Sequence, residues 1–285
     1  MQSQIEFWGA ASLVILGACL LVSNVSATTF PGDDSPPSEK SLVLIQTIEI
    51  EDIEDAPPIG QSWRVGGEPI GELNSGGSAF FRTGPCMIDT ALPVDYPPPT
   101  CPGAIEIKTY PVVRRAEVTG KASPNVGTNF AFFRLFEHIQ DREIAMTSPV
   151  EVDYGALDQD SKWKERTQEA SPSEQDWTMS FLYRSTQQGS TGEAGRVEVV
   201  DRPVTTVISI GFQGDSRKEK VFEHLDLLTN MIEKLEGWEI AGPPRGLFYN
   251  GPSVRAKNRW CEAQIPIQRV ASPEESPSPT ESVRL

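Results

Sequence analysis

Histidine is nearly missing from this chain: two residues in 285, His138 and His224. That scarcity leaves little basis for a histidine metal centre or proton relay. Cysteine is scarce as well, with four residues and no Cys-x-x-Cys pair, so a thioredoxin-type site and a zinc ribbon have no starting point. Gly-x-Ser-x-Gly, His-Glu-x-x-His, a P-loop and Gly-x-Gly-x-x-Gly are all absent, which removes the common hydrolase, metalloprotease and nucleotide-binding readings. Positive charge is in deficit. Lys and Arg number 25 against 40 Asp and Glu, a formal net charge of −15 that opposes nucleic acid and anionic membrane surfaces as partners. No catalytic residue and no metal ligand is assigned.

What is present begins with an address. Phe7 to Val22 is apolar, about the length of a signal-peptide core and short of the ~20 residues of a comfortable membrane span. Val25-Ser26-Ala27 offers small residues before a cleavage point after Ala27, although the preceding region has Glu6 and no Lys or Arg. Leu16-Gly17-Ala18-Cys19 also fits a lipoprotein box, and an uncleaved anchor is the third outcome. All three imply export to a secreted, periplasmic or lumenal location, with membrane attachment only through this segment. In an oxidising compartment Cys86 and Cys101, which flank Pro93, Pro97, Pro98 and Pro99, would close that loop with a disulfide contributing ~3 kcal/mol. The other reading is three isolated thiols, with Cys261 on a late strand.

The chain divides by composition. Residues 1–27 are the signal or anchor, and 28–103 form a Pro/Gly-rich, irregular extension with one strand within Ser41 to Ile53. Residues 104–268 carry the folding pattern, and 269–285 are a disordered acidic Ser/Pro tail. Within the third segment the sequence repeats. Ile105-Glu106-Ile107-Lys108-Thr109-Tyr110-Pro111-Val112 aligns without a gap on Val197-Glu198-Val199-Val200-Asp201-Arg202-Pro203-Val204, 92 residues later. Glu143-Ile144-Ala145 and Glu239-Ile240-Ala241 close the two copies. Ile105–Ile107 and Val112–Val118 read as a hairpin turning at Tyr110-Pro111. The first helix falls near Thr128 to Gln140, with Phe132, Leu135, Phe136 and Ile139 as its stripe and surplus aromatics at Phe130 and Phe133. A second helix opens on the capping box Ser216-x-x-Glu219, carries Val221, Leu225, Leu228, Ile232 and Leu235, and stops at Gly237. A polar insertion, Asp153 to Asp176, separates the halves, and Trp177 to Tyr183 resumes strand chemistry.

The hairpin Ile105-Glu106-Ile107-Lys108-x-Tyr110-Pro111 resembles the opening of the SOUL heme-binding family. The Phe/Leu helix followed by Met146-Thr147-Ser148-Pro149-Val150 resembles that family's Met-Thr-Ala-Pro-Val signature. Phe248-Tyr249-Asn250-Gly251-Pro252 and Asn258 are similar to its closing segments. The resemblance covers about 104 to 268. It implies an α+β fold of duplicated ββαβ-type units forming a distorted eight-stranded antiparallel barrel flanked by two helices, related to bacterial effector-binding domains. It also implies a heme or other tetrapyrrole ligand that is not essential to the fold.

Two departures follow. Thr109 stands where some relatives place an axial histidine, and Asn129 and Glu137 replace basic residues proposed to meet propionates. The aromatic surface of Phe132, Phe133 and Phe136, with Arg134, His138 and Tyr249, is then the candidate ligand site. His138 reads as a solvated rim residue and His224 as a satisfied, half-buried one. The expected function is an exported tetrapyrrole-binding protein for buffering or transport. The alternatives are another small apolar ligand, or an interaction scaffold without heme; an extension that packs over the cleft rather than hanging free would argue against tetrapyrrole exchange with solvent. Catalysis would require a buried cleft carboxylate with a raised pKa. Glu143, Glu151 and Asp153 are available but read as solvent-facing on edge strands.

Overall fold

A computed structural model describes residues 41–120, 124–155 and 177–270. The signal or anchor segment with Cys19, the 28–40 linker, most of the polar insertion and the tail from 271 lie outside the described residues.

The described part of the extension, from residue 41, carries short strands among its irregular stretches. It opens on β1 (Ser41–Leu42) and β2 (Gln46–Thr47), so Ser41 to Ile53 forms two short strands and a 3-10 turn (Ile50–Asp52) where one strand was expected. β3 (Ser62–Gly67), β4 (Asn74–Ser75), β5 (Phe81–Thr83) and β6 (Cys86–Ile88) follow. β1-β4-β5-β6 make a small sheet, while β3 pairs with the first strand of the repeat.

The repeat begins with β7 (Ala104–Tyr110), β8 (Val113–Gly120), α1 (Pro124–Asp141), β9 (Val150–Asp153) and β10 (Trp177–Leu182). After β11 (Gly192–Ala194) come β12 (Val197–Arg202), β13 (Thr205–Gln213), α2 (Lys218–Ile232), β14 (Trp238–Ile240), β15 (Arg245–Phe248) and β16 (Trp260–Arg269). The main sheet runs β11-β12-β8-β10-β9-β15-β16-β13-β7-β3-β2, with β14 on β16. It is α+β, as expected, but it does not close into a barrel.

The hairpin reading fails because β7 and β8 do not pair. β7 lies against β13, and β8 lies against β12. Alternation fixes which face a strand shows but not its partner, and the chain crosses between halves at Pro111-Val112 and again at Pro203-Val204. The exchange is what the repeat encodes. Glu198 opposite Glu117 becomes, on a shift of 92 residues in each direction, Glu106 opposite Ser209. Likewise β12-β8-β10-β9 and β7-β13-β16-β15 are the same path, read inward from the two ends. A pseudo-two-fold axis therefore passes through the central β9–β15 pair, where Val152 faces Gly246.

The helices cover one face. α1 packs on β8, β10 and β12 through Ala131, Leu135 and Ile139. α2 packs on β13 and β16 through Val221, Leu225, Leu228 and Ile232. The capping box is not made: α2 has Arg217 as N-cap, without a side-chain cap. A third core, of Leu73, Phe81, Ile88, Leu92, Leu247, Tyr249 and Trp260, joins the extension to the opposite face of the sheet.

Candidate functional site

The face away from the helices is polar and sealed. On β16, Trp260, Glu262 and Gln264 point to it while Cys261, Ala263 and Ile265 meet α2, so one strand supplies both cores. Glu262, with no exposed surface, accepts from Tyr249 Oη (2.7 Å), Ser209 Oγ (2.7 Å) and Gln264 Nε2 (2.7 Å), and pairs with Lys108 Nζ (3.3 Å). Burial alone would raise its pKa, but Lys108 and these donors hold it below the ordinary carboxylate value. In the other half Arg115 donates to Glu117, to Glu151 (2.6 Å) and to Asp153 (2.8 Å). Arg245 bridges the halves, reaching Gln264 at 2.9 Å and Glu151 at 3.4 Å over the Tyr110 ring. Glu151 is thus buried, contrary to the solvent-facing reading.

The lid on this layer is the Pro-rich part of the extension, residues 89–103. Thr100 N–H donates to Glu262 (2.7 Å), Lys108 Nζ to the Pro98 carbonyl (2.7 Å), and Trp260 Nε1 to the Thr100 carbonyl (2.6 Å). Tyr96 Oη bonds Glu151 at 3.3 Å on the other half. Gly211 permits the approach, since a Cβ there would overlap the carbonyls of Thr100 and Cys101. The extension therefore covers the cleft. Glu106 has the raised pKa that an enzyme reading required, because burial outweighs Lys108 and Arg64. It has no exposed surface, however, and pairs with Arg64 at 3.5 Å, so no substrate reaches it.

The other face holds an apolar seam with half-buried edges. Between α1 and α2 the floor is β9 and β15, with Val150 opposite Phe248 and Val152 opposite Gly246. One wall is Phe132 and Phe136, stacked 6.2 Å apart, with Phe132 also edge-on to Phe181 at 5.1 Å. The other wall holds Phe222, whose ring meets Tyr154 at 5.3 Å. Phe132, Phe136, Met146, Val150, Tyr154 and Phe248 are all half-buried. Gly246 lets α2 sit close, since a Cβ there would lie 2.8 Å from Phe248 and 3.2 Å from Val221.

The candidate residues split across this geometry. At about 100° per residue, Phe132 and Phe136 fall on the seam flank of α1 and Phe133, 41% exposed, just beyond it. Arg134 and His138 fall on the far flank. His138 is buried rather than solvated; its Nε2 bonds Tyr183 Oη at 2.8 Å and its Nδ1 has no partner. Burial, aided by Arg142 and opposed by Asp141, lowers its pKa. Tyr249 lies on the sealed face, apart from the phenylalanines. His224 is half-buried as expected, stacked on Phe212 at 4.2 Å and bonded to the Lys220 carbonyl. Thr109 is buried against Thr206.

The motif residues are stitches. Thr147 Oγ1 donates to the Leu182 carbonyl (2.5 Å) and Ser148 Oγ to the Thr90 carbonyl (3.0 Å), while Pro149 and Val150 lead into β9. Asn250 donates to the Met87 carbonyl (2.7 Å) and accepts from Trp260 N–H (2.8 Å); the Pro252 carbonyl accepts from Arg259, and Asn258 ends a 3-10 turn. The expected disulfide is not formed. Cys86 and Cys101 are free and buried because they turn to different partners: Cys86 accepts from Gln213, and Cys101 engages Thr83. Burial pushes the Cys101 thiol up to about 11 and that of Cys261 up to about 12, so neither is a nucleophile. Sequence reasoning missed Tyr154 and Phe222, and took Phe248 only as part of the closing motif. Tyr154 and Phe248 lie outside the helical stripes, and Phe222 flanks its stripe.

The SOUL heme-binding protein family matches residues 95–266. No curated protein matches the chain. Among solved structures, the EcmrR–DNA complex is similar at 12% identity and a TM-score of 0.45, over 58% of this chain and 57% of that one. An uncharacterized conserved protein from Listeria innocua is similar at 12% identity and 0.42, over 60% of this chain and 94% of its own. SAV2435 bound to tetraphenylphosphonium is similar at 11% and 0.35, over 57% and 92%.

Proposed function

This chain belongs to the SOUL heme-binding protein family, and from that premise we propose that it is an exported protein that holds heme or another tetrapyrrole in the seam between α1 and α2, for buffering or transport. The observation that carries the reading is the row of half-buried aromatics on the helix face, set against a polar face that is already filled. A macrocycle laid on Phe132, Phe136 and Phe248 gains several kcal/mol at ~25 cal/mol per Å² of apolar surface removed from water. Iron ligation plays no part in the proposal: His138 is turned to Tyr183, His224 to Phe212, and Thr109 to Thr206. Export rests on the N-terminal apolar run alone.

The test is titration of the whole chain with hemin, read by the Soret band and by quenching of protein fluorescence. A saturable one-to-one change is expected. Phe136→Ala should weaken it about tenfold, a loss of roughly 1.4 kcal/mol, whereas Phe130→Ala, whose ring faces outward at 68% exposure, should leave it unchanged. Absence of saturation, or equal effects of the two substitutions, removes the proposal.

A further inference from the structure

We propose that Asn250 is a modification site, a succinimide-forming Asn-Gly pair whose loss of ammonia unfastens β6 from the connection between β15 and β16 and keeps it unfastened. Asn250-Gly251 is the sole Asn-Gly pair in the chain. Asn250 uses both ends of its amide as a stitch. Its Nδ2 donates to the Met87 carbonyl in the middle of β6 (2.7 Å), and its Oδ1 accepts from the Trp260 N–H at the start of β16 (2.8 Å). Gly251 stands bare beside it: it is exposed, as are Pro252 and Ser253, and a Cβ added there meets nothing within 4 Å. Among the described residues no group accepts from the Gly251 N–H. Arg259 holds the far side of the same connection through the Pro252 and Val254 carbonyls (2.7 Å each), so the stitch opens without unravelling the loop.

The Gly251 nitrogen is the nucleophile. When the two amide bonds part and the side chain turns, this nitrogen bonds to Asn250 Cγ. The Cγ–Nδ2 bond breaks, and Nδ2 leaves as ammonia with the proton that the Gly251 nitrogen gives up. Water then opens the cyclic imide. Aspartate results where the bond from the Gly251 nitrogen to Cγ breaks, and isoaspartate where its bond to the Asn250 backbone carbonyl carbon breaks. Nothing is oxidised or reduced. Glycine suits the step, because it has no side chain to crowd the attacking nitrogen. The aspartate product does not restore the stitch. One carboxylate oxygen still accepts from Trp260, but the other stands where Nδ2 was and meets the Met87 carbonyl oxygen, acceptor against acceptor. The closed stitch guards the amide, and an open one exposes it to a change that prevents closing.

The experiment incubates the full chain at neutral pH, folded and in urea, and follows the tryptic peptide 246–255, framed by Arg245 and Arg255, by mass spectrometry. In the folded wild type the peptide should change from amide to acid, with release of ammonia, about tenfold more slowly than in urea, the protection of a surface element with a low opening energy. Gly251→Ala, with no neighbour to disturb, should slow both rates severalfold. Asn250→Asp, the product itself, should speed hydrogen exchange at Cys86–Ile88 about tenfold over the wild type. Should Asn250→Asp fail to fold, aged wild type enriched in the converted form serves for the same measurement. A folded chain that stays unconverted while the chain in urea reacts to completion overturns the proposal, as does conversion of Gly251→Ala at the wild-type rate. Equal rates in buffer and urea also overturn it, since the stitch then guards nothing. Unchanged exchange at Cys86–Ile88 in the converted form shows that β6 stays fastened, and the proposal fails.

Discussion

His138 and Glu262 are both shut away from water and resolve the cost in opposite ways. Glu262 keeps its charge by collecting Lys108 and four hydrogen-bond donors, and leaving such a group unpaired costs roughly 3–5 kcal/mol. His138 avoids charge, with one bond to Tyr183 and a bare Nδ1. Its folded pKa lies below the unfolded value of about 6.5. The unfolded chain therefore takes up the proton first as pH falls, so stability is complete above about pH 6.5 and drains away as pH drops toward the folded pKa. His224 shifts in the same direction through burial. Urea unfolding at pH 7.5 and 5.5 should show the loss, and His138→Gln should reduce the pH dependence without removing it. An unchanged difference would mean that His138 does not titrate in this window. None of this was legible beforehand: helical spacing placed His138 off the apolar stripe, and only Tyr183, arriving from the end of β10, makes that position interior.

At the scale of elements the sequence was most informative about the repeat and least informative about pairing. The offset of 92 residues survives in the register of two separate ladders, because a duplicated alternation pattern must place equivalent residues on equivalent faces. The hairpin was misread because Tyr110-Pro111 looks like a turn, whereas it is a crossing point between half-sheets. The capping box was misread because Ser216 lies one residue outside the N-cap. Gly246 is invisible as a signal, yet it sets how closely α2 approaches the floor. Gly246→Ala should cost about 1–3 kcal/mol, the usual price of overpacking, and should lower the melting temperature. Gly251→Ala, with nothing within 4 Å of the new Cβ, should be neutral. Equal melting temperatures would show that the helix yields freely.

For the whole molecule, the extension is the part composition described worst. Proline and glycine suggested an appendage, but residues 89–103 complete the sealed layer and bond both halves of the sheet. The alternating strands were legible as half-buried; what covers their polar side was not, since nothing in Glu106 or Lys108 announces a strap from elsewhere in the chain. A fragment of 104–268 alone should accordingly lose the cooperative urea transition that 41–270 retains, because Glu106, Lys108 and Glu262 would face water where the strap now lies. A sharp transition in the shorter fragment would make the strap dispensable.

The axis through β9 and β15 has a consequence for any guest above it. A floor whose backbone repeats about a two-fold axis offers a flat molecule two poses, half a turn apart, which Val150 against Phe248 and Val152 against Gly246 make unequal. The walls decide between them, because α1 presents the stacked Phe132 and Phe136 where α2 presents Phe222 against Tyr154. Duplication made the bed symmetric, and the divergence of the two helices since then gives the occupant a head and a foot.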